Sequence, residues 1–210
     1  MKLFIESICL ENGELRNLPL HQRRLELTML AHFGNSARID LMAELAHRSL
    51  PATGLYKVRV TYGLHITDIE IEPYARHQVK QVELVRADGL DYRYKYADRL
   101  ALDALRRDVA PGVQPVIVQQ GLITDAIYAN VCVFDGAQWL TPARPLLEGT
   151  ATTQQPHRGR QRQPPMQSPG REKSLPQGIR ATKRTVEIHD QRTQQFGIRH
   201  HGRSGVARRC

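Results

Sequence analysis

The chain has 210 residues and a formal net charge of +9, from 30 Lys plus Arg against 21 Asp plus Glu. The charge is lopsided: residues 1–150 carry 17 basic and 18 acidic groups, net −1, whereas residues 151–210 carry 13 and 3, net +10. The basic character thus belongs to the tail, which removes most of the case for a nucleic-acid-binding globular domain. Cys9, Cys132 and Cys210 are too scattered for a disulfide framework or a zinc site, so no metal is expected. No apolar run approaches the roughly 18 residues that span a bilayer. The short apolar stretch at the N-terminus turns acidic at Glu6, too early for a secretory signal. These features imply a cytoplasmic protein.

Residues 1–150 read as a folded α/β chain. Leu3–Leu10 alternates into a strand. His21–Phe33 places Leu25, Leu27, Met29, Leu30 and Phe33 on roughly one helical face, and Ala37–His47 repeats the pattern with Ile39, Leu41, Met42 and Leu45. Pro51 and Gly54 then break it. Leu55–Tyr62 and Ile66–Ile71 alternate at period two around Gly63 and predict a hairpin. The polar Glu72–Gln78, with Pro73, predicts a linker. Gln81–Ala87 predicts a strand and Ala97–Arg107 a helix. Pro115–Gln119 and Ala129–Phe134 predict short apolar strands, and Gln138–Thr141 closes the pattern.

The tail differs in kind. Only 9 of its 60 residues are Ile, Leu, Val, Phe, Met or Cys, while nine are Gln and five Pro. Such a segment cannot bury enough apolar surface to offset its ordering entropy, so disorder is predicted, with at most a turn or two over Thr182–Ile188. The change at Ala151 is abrupt. A natural basic tail explains it, and so does a shift of reading frame in a GC-rich gene.

Several residues carry candidate chemistry, each with a plainer alternative. Lys95 lies between Tyr94 and Tyr96, ahead of a predicted helix. Rings that exclude water favour the neutral amine of Schiff-base chemistry; a solvated lysine on a tyrosine-rich edge is the alternative. Asp125 is either a buried carboxylate facing a cationic ring or a turn residue after Thr124. Asn130 follows five residues later, before an apolar strand. Lys57, Arg59 and Thr61 share one strand face, a place for a phosphate fork or simply a solvated face. Gly149 and Thr150 either begin a helix that offers N–H groups to an anion or form a plain loop. His21 and Arg24, three apart on a helix, read as a solvated charged face.

Together and in this order, these segments resemble the class IV pyridoxal-phosphate enzymes, which include branched-chain aminotransferases, D-amino-acid aminotransferases and 4-amino-4-deoxychorismate lyases. LFIESICLENGELRNLPLHQRRLELT is similar to the family's opening strand, turn and His-x-x-Arg-Leu helix. The resemblance continues through YKVRV, YKYADR, LITDAIYANVCVFDG and PLLEGT, over about residues 1–150. It implies an α+β chain with a two-domain α/β fold. A small domain would span 1–76 and a partial cofactor-binding domain 77–150. The disordered basic tail, 151–210, would stand where the family completes the second domain, which favours the frame-shift explanation.

The resemblance further implies pyridoxal 5'-phosphate (PLP) as cofactor. Lys95 matches the Schiff-base lysine and carrier of the proton. Asp125, where the family usually has Glu, matches the carboxylate that pairs with the protonated ring nitrogen and strengthens the ring as an electron sink. Arg59 matches the phosphate-binding arginine. Gly149 and Thr150 match the phosphate loop. Asn130 belongs to the same cofactor-binding set, and Tyr128 is expected near the cofactor. The implied substrate is an amino acid or an amino-chorismate, handled by transamination or by lyase-type elimination, in a homodimer. Two departures stand out: Asp98 replaces a common Asn, and ATTQQPHRGR replaces the usual Arg and amphipathic helix. A pocket so cut short would be partly open, with weakened or absent activity. The competing reading is a non-catalytic protein whose basic tail binds nucleic acid without sequence preference. Phe196 is the tail's single aromatic, too few for stacking on single strands, so nucleic acid is not an expected partner.

Overall fold

Period-two alternation builds the first sheet. In β1 (Phe4–Glu11), Phe4, Glu6, Ile8 and Leu10 share one face and are fully buried, and Ile5 and Ser7 on the other face are buried too. The computed structural model of the chain describes residues 2–34, 38–75, 79, 81–134, 139–150, 185–190 and 197–198. Asn12 and Gly13, at φ 51° and 81°, turn β1 back into β2 (Glu14–Leu15). Asn-Gly is the pair that accepts the left-handed backbone of such a two-residue turn.

α1 (Leu18–Phe33) begins earlier than the predicted His21, because Pro19 sits in its first turn, where proline forfeits no helical hydrogen bond. Its buried face is Leu18, His21, Leu25, Thr28 and Met29, while Leu27 and Leu30 are exposed. Of the predicted apolar face, Leu25 and Met29 are buried and Phe33 packs against the core, but His21 is buried where Leu27 and Leu30 are not. α2 (Leu41–Ala46) is shorter than expected, and Asp40 caps it by accepting the Ala43 N–H at 3.0 Å. β3 (Leu55–Tyr62) and β4 (Ile66–Pro73) form the predicted hairpin and complete the sheet order β2-β1-β3-β4. β4 takes the first two residues of the expected linker; Arg76, His77 and Gln78 of that linker lie outside the described residues.

The second region starts with β5 (Gln81–Arg86). The chain then returns to the first sheet, where Ile5 N–H donates to Lys95 O at 2.8 Å and Ala97 N–H to Leu3 O at 2.9 Å. After α3 (Leu100–Arg107), β6 (Val113–Gln119) pairs parallel to β5. Gln120 and Gly121, at φ 50° and 75°, turn it into antiparallel β7 (Leu122–Ala126), a strand that no predicted element covers. β8 (Ala129–Phe134) pairs with β9 (Trp139–Leu140) on one side and β10 (Thr185–Asp190) on the other, and β10 pairs with β11 (Gly197–Ile198). β10 corrects the expected disorder for its own residues. Val186 and Ile188 give it a short period-two alternation, and β8 offers its full length as a partner. Apart from β10 and β11, residues 151–210 lie outside the described residues. Among the described residues, no helix is long and apolar enough to cross a membrane.

Candidate active site

Lys95 is held by its backbone on the edge of β1, and it is only 5% exposed. Its tyrosine neighbours do not sandwich it. Tyr96 bridges Phe4 in the antiparallel sense, and both Tyr94 and Tyr96 pack into the aromatic cluster around Phe4 and His32. Alternation then turns Lys95 to the opposite side. The rings lock the strand, and the surrounding fold buries the amine.

Asp125 is not a turn residue. It lies in β7, buried, and its Oδ2 accepts the N–H groups of Leu146 at 2.5 Å and Leu147 at 3.1 Å. Burial pushes its carboxyl up to about 7, against those two N–H groups and the positive charge of Lys95, all of which pull it down. Lys95 and Asp125 are therefore within electrostatic reach of each other. The Leu146–Leu147 backbone that grips Asp125 leads directly to Gly149 and Thr150. Asn130, on β8, meets this loop. A Cβ at position 149 would lie 2.3 Å from both terminal atoms of the Asn130 amide, so only glycine fits unless Asn130 moves. Asn130 Nδ2 is buried and has no hydrogen-bond partner among the described residues.

From the other side, α1 grips the same loop. Arg24 Nη1 donates to Glu148 O at 3.0 Å, and Asn17 Nδ2 to Thr150 O at 3.5 Å. His21 Nε2 lies 3.3 Å from Thr150 Oγ1. Behind them stands Glu6, whose Oε1 takes Arg24 Nε at 2.9 Å and whose Oε2 takes Arg24 Nη2 at 2.5 Å and His21 Nδ1 at 2.6 Å. Burial alone would raise the Glu6 carboxyl; the Arg24 guanidinium and His21 hold it down at about 2. Burial lowers His21, which keeps the imidazole neutral, and the charges of Arg24 and Lys95 add to that against the pull of Glu6. His21 and Arg24 are thus not the solvated face expected of them. The signal was present: Glu6 breaks the apolar face of β1, and a buried carboxylate needs a cation across the sheet.

Two expected residues make contacts of their own, and Arg59 shares the sheet face of Ile5 and Ser7 with its buried Nε lacking a hydrogen-bond partner among the described residues. Arg59 pairs in register with Ser7 and Glu70, and its Nε is 3.6 Å from Glu70 Oε2. The arginine that reaches the Gly149–Thr150 loop is Arg24. The Tyr128 hydroxyl donates to Asp103 of α3 at 3.0 Å, and the Arg99 guanidinium lies over the ring at 4.7 Å. The structure therefore brings together Lys95, Asp125, Asn130, Gly149 and Thr150, and adds Glu6, His21 and Arg24.

No family model matches the chain. A protein of Haemophilus influenzae that bears the description uncharacterized is 31% identical over 147 residues, 69% of this chain and 78% of that one. A solved structure from Haemophilus somnus 129pt, provisionally described as a 4-amino-4-deoxychorismate lyase, is 27% identical, with a TM-score of 0.68 over 73% of this chain and 81% of that chain. A provisionally described amino-acid aminotransferase from Mesorhizobium loti shares the fold at 17% identity, with a TM-score of 0.68 over 95% of this chain and 99% of that one. The fold is the mixed α+β architecture of class IV aminotransferases. The chain has the class IV pyridoxal-phosphate-dependent aminotransferase and 4-amino-4-deoxychorismate lyase-like fold.

Proposed function

We propose that the chain is a PLP-dependent enzyme acting on the amino group of a small molecule, by elimination from an amino-chorismate or by transamination of an amino acid. One observation carries this most: a buried lysine and a buried carboxylate lie within electrostatic reach of each other, and the backbone that grips the carboxylate leads into Gly149 and Thr150. The likeness to the Haemophilus somnus protein favours elimination.

The residues fit the cofactor. The unpartnered Asn130 amide donor, buried where Gly149 leaves no room for a side chain, is a group that an anionic ligand beside the loop can satisfy. Bound PLP supplies an electron sink for charge that develops at the substrate's α-carbon. Lys95 Nζ holds the cofactor and moves the proton at that carbon. Asp125, as the carboxylate, would accept a hydrogen bond from the protonated ring nitrogen and keep the proton on the ring. Gly149 and Thr150 face the phosphate, with Arg24 as the guanidinium nearest their loop. Arg59 is then left to the strand face. The small domain of this reading is the β2-β1-β3-β4 sheet with α1 and α2, and the described residues of 77–150 form the cofactor domain.

The test is the visible absorbance of the purified protein with added PLP, beside Lys95→Ala. A band in the parent that the variant lacks supports both cofactor and lysine. No band in either, with both proteins folded by circular dichroism, overturns the reading.

A further inference from the structure

The hydrogen bonds around His21 have a fixed polarity. Glu6 is a charged carboxylate and can only accept, so the His21 nitrogen 2.6 Å from it, Nδ1, carries the proton. Arg24 occupies both Glu6 oxygens and prevents the carboxylate from turning away. The imidazole is neutral, so Nε2 is bare and can only accept. The Thr150 hydroxyl, 3.3 Å from it, is then the donor. The chain of donation runs from Thr150 to His21 to Glu6, within groups that are all buried. A neutral imidazole so oriented is set by its partner on the far ring nitrogen.

We propose that His21 is a positioning residue for the phosphate loop: held as its Nδ1–H tautomer by Glu6, it accepts the Thr150 hydroxyl proton and fixes the side chain and backbone at the end of that loop. The role rests on the cofactor reading above for its consequence, and on the geometry of the apoprotein for its existence. His21 touches neither cofactor nor substrate in this scheme. It acts through Thr150.

Three measurements on the full chain test it. Long-range proton–nitrogen correlation spectra of the apoprotein at pH 7 should show His21 neutral, with Nδ1 protonated and Nε2 bare. An Nε2–H tautomer or an imidazolium overturns the proposal. Two variants separate the two ring nitrogens. His21→Asn can still donate to Glu6 but cannot reach Thr150, whereas His21→Gln can reach Thr150. Urea unfolding of His21→Asn, Thr150→Val and the double variant should show coupling, the double costing no more than the worse single. Additive losses overturn the link.

The third measurement compares dissociation constants for PLP and for pyridoxal, which lacks the phosphate. His21→Asn and Thr150→Val should each lower the preference for PLP about tenfold, the effect of one hydrogen bond, and His21→Gln should recover most of it. A merely structural histidine weakens both ligands alike, and that outcome overturns the proposal. If the parent binds neither ligand while the unfolding coupling stands, the cofactor reading falls and the His21–Thr150 link is supported on its own.

Discussion

Two buried carboxylates in this chain end in opposite states. Glu6, under α1, sits at about 2 because a guanidinium binds both its oxygens and an imidazole shares one of them. Asp125, in β7, rises to about 7 because burial outweighs two backbone N–H groups and the charge of Lys95. Burial is common to both, so burial does not distinguish them. A contacting cation does. Glu6 has its cation within the fold and serves as a hub joining β1, α1 and the loop at 148–150. Among the described residues Asp125 is held by two backbone N–H groups, and burial outweighs the pull of the Lys95 charge, so its protonation can change when a further positive charge arrives.

The harshest break is at the hub. Glu6→Gln keeps the shape but leaves the Arg24 guanidinium buried without its counter-charge. Removing one partner of a buried ion pair costs about 3–5 kcal/mol, and we expect a loss of that size in urea unfolding at pH 7. The same variant should loosen the loop, because Arg24 then no longer holds both Glu6 and the Glu148 carbonyl. A loss below about 1 kcal/mol would mean that Arg24 escapes to water, and the contrast between the two carboxylates would then be one of packing alone.

Asp125 supplies the next effect, with the opposite sign of pH dependence. Its folded value, about 7, lies above the ordinary 3.8, so the folded chain holds a proton that the unfolded chain releases between those values. Stability from this group is therefore full at low pH and is lost as pH rises from about 4 to about 7, by at most about 4 kcal/mol. His21 works the other way. Its folded value lies below 6.5, so it costs stability as pH falls below that point. Glu6, held at about 2 against 4.5 in the unfolded chain, contributes its stability above pH about 5 and loses it as pH falls from there towards 2. Asp125→Asn isolates the Asp125 contribution. The stability of the parent minus that of the variant should fall between pH 5 and pH 8. A flat difference would show that Asp125 is ionised throughout in the folded chain, and the two carboxylates would then be alike.

Much of this was legible in the order of the residues. The strands β1, β3, β4, β5 and β8 follow from alternation, and the segment containing Lys95 follows from resemblance. The network around Glu6 was not legible, for a physical reason. Helical periodicity counts apolar residues, so it finds Leu25 and Met29 but not His21, which α1 buries while exposing Leu27 and Leu30. The true face is set by a charge pair whose two members are 18 residues apart, on different elements. β7 was missed for a related reason. Thr124 and Asp125 read as a turn, yet Thr124 donates to Ile117 O at 3.2 Å and Asp125 is capped by a distant backbone, so both polar groups are satisfied inside a strand. Local patterns see propensity, whereas these two sites depend on partners brought in by the fold.

The smallest expected effect is at Arg59, and it sharpens the assignment of the phosphate. Its side chain is 29% exposed and stands 3.6 Å from Glu70, whose side chain is 45% exposed. Pairs that open to solvent contribute less than about 1 kcal/mol, so Arg59→Gln should barely move the urea midpoint. Arg24 reaches the carbonyl of Glu148 beside Gly149, while Arg59 stands 3.6 Å from Glu70 with its Nε buried and without a hydrogen-bond partner among the described residues. If Arg24 is the guanidinium that serves the phosphate, Arg59→Gln leaves the preference for PLP over pyridoxal within about twofold of the parent, half a kcal/mol or less. A tenfold fall in that preference, with stability unchanged, would return the phosphate to Arg59. Glu6 and Arg24 would then be a structural clamp on the loop, and the phosphate would lie on the β3 side of the site.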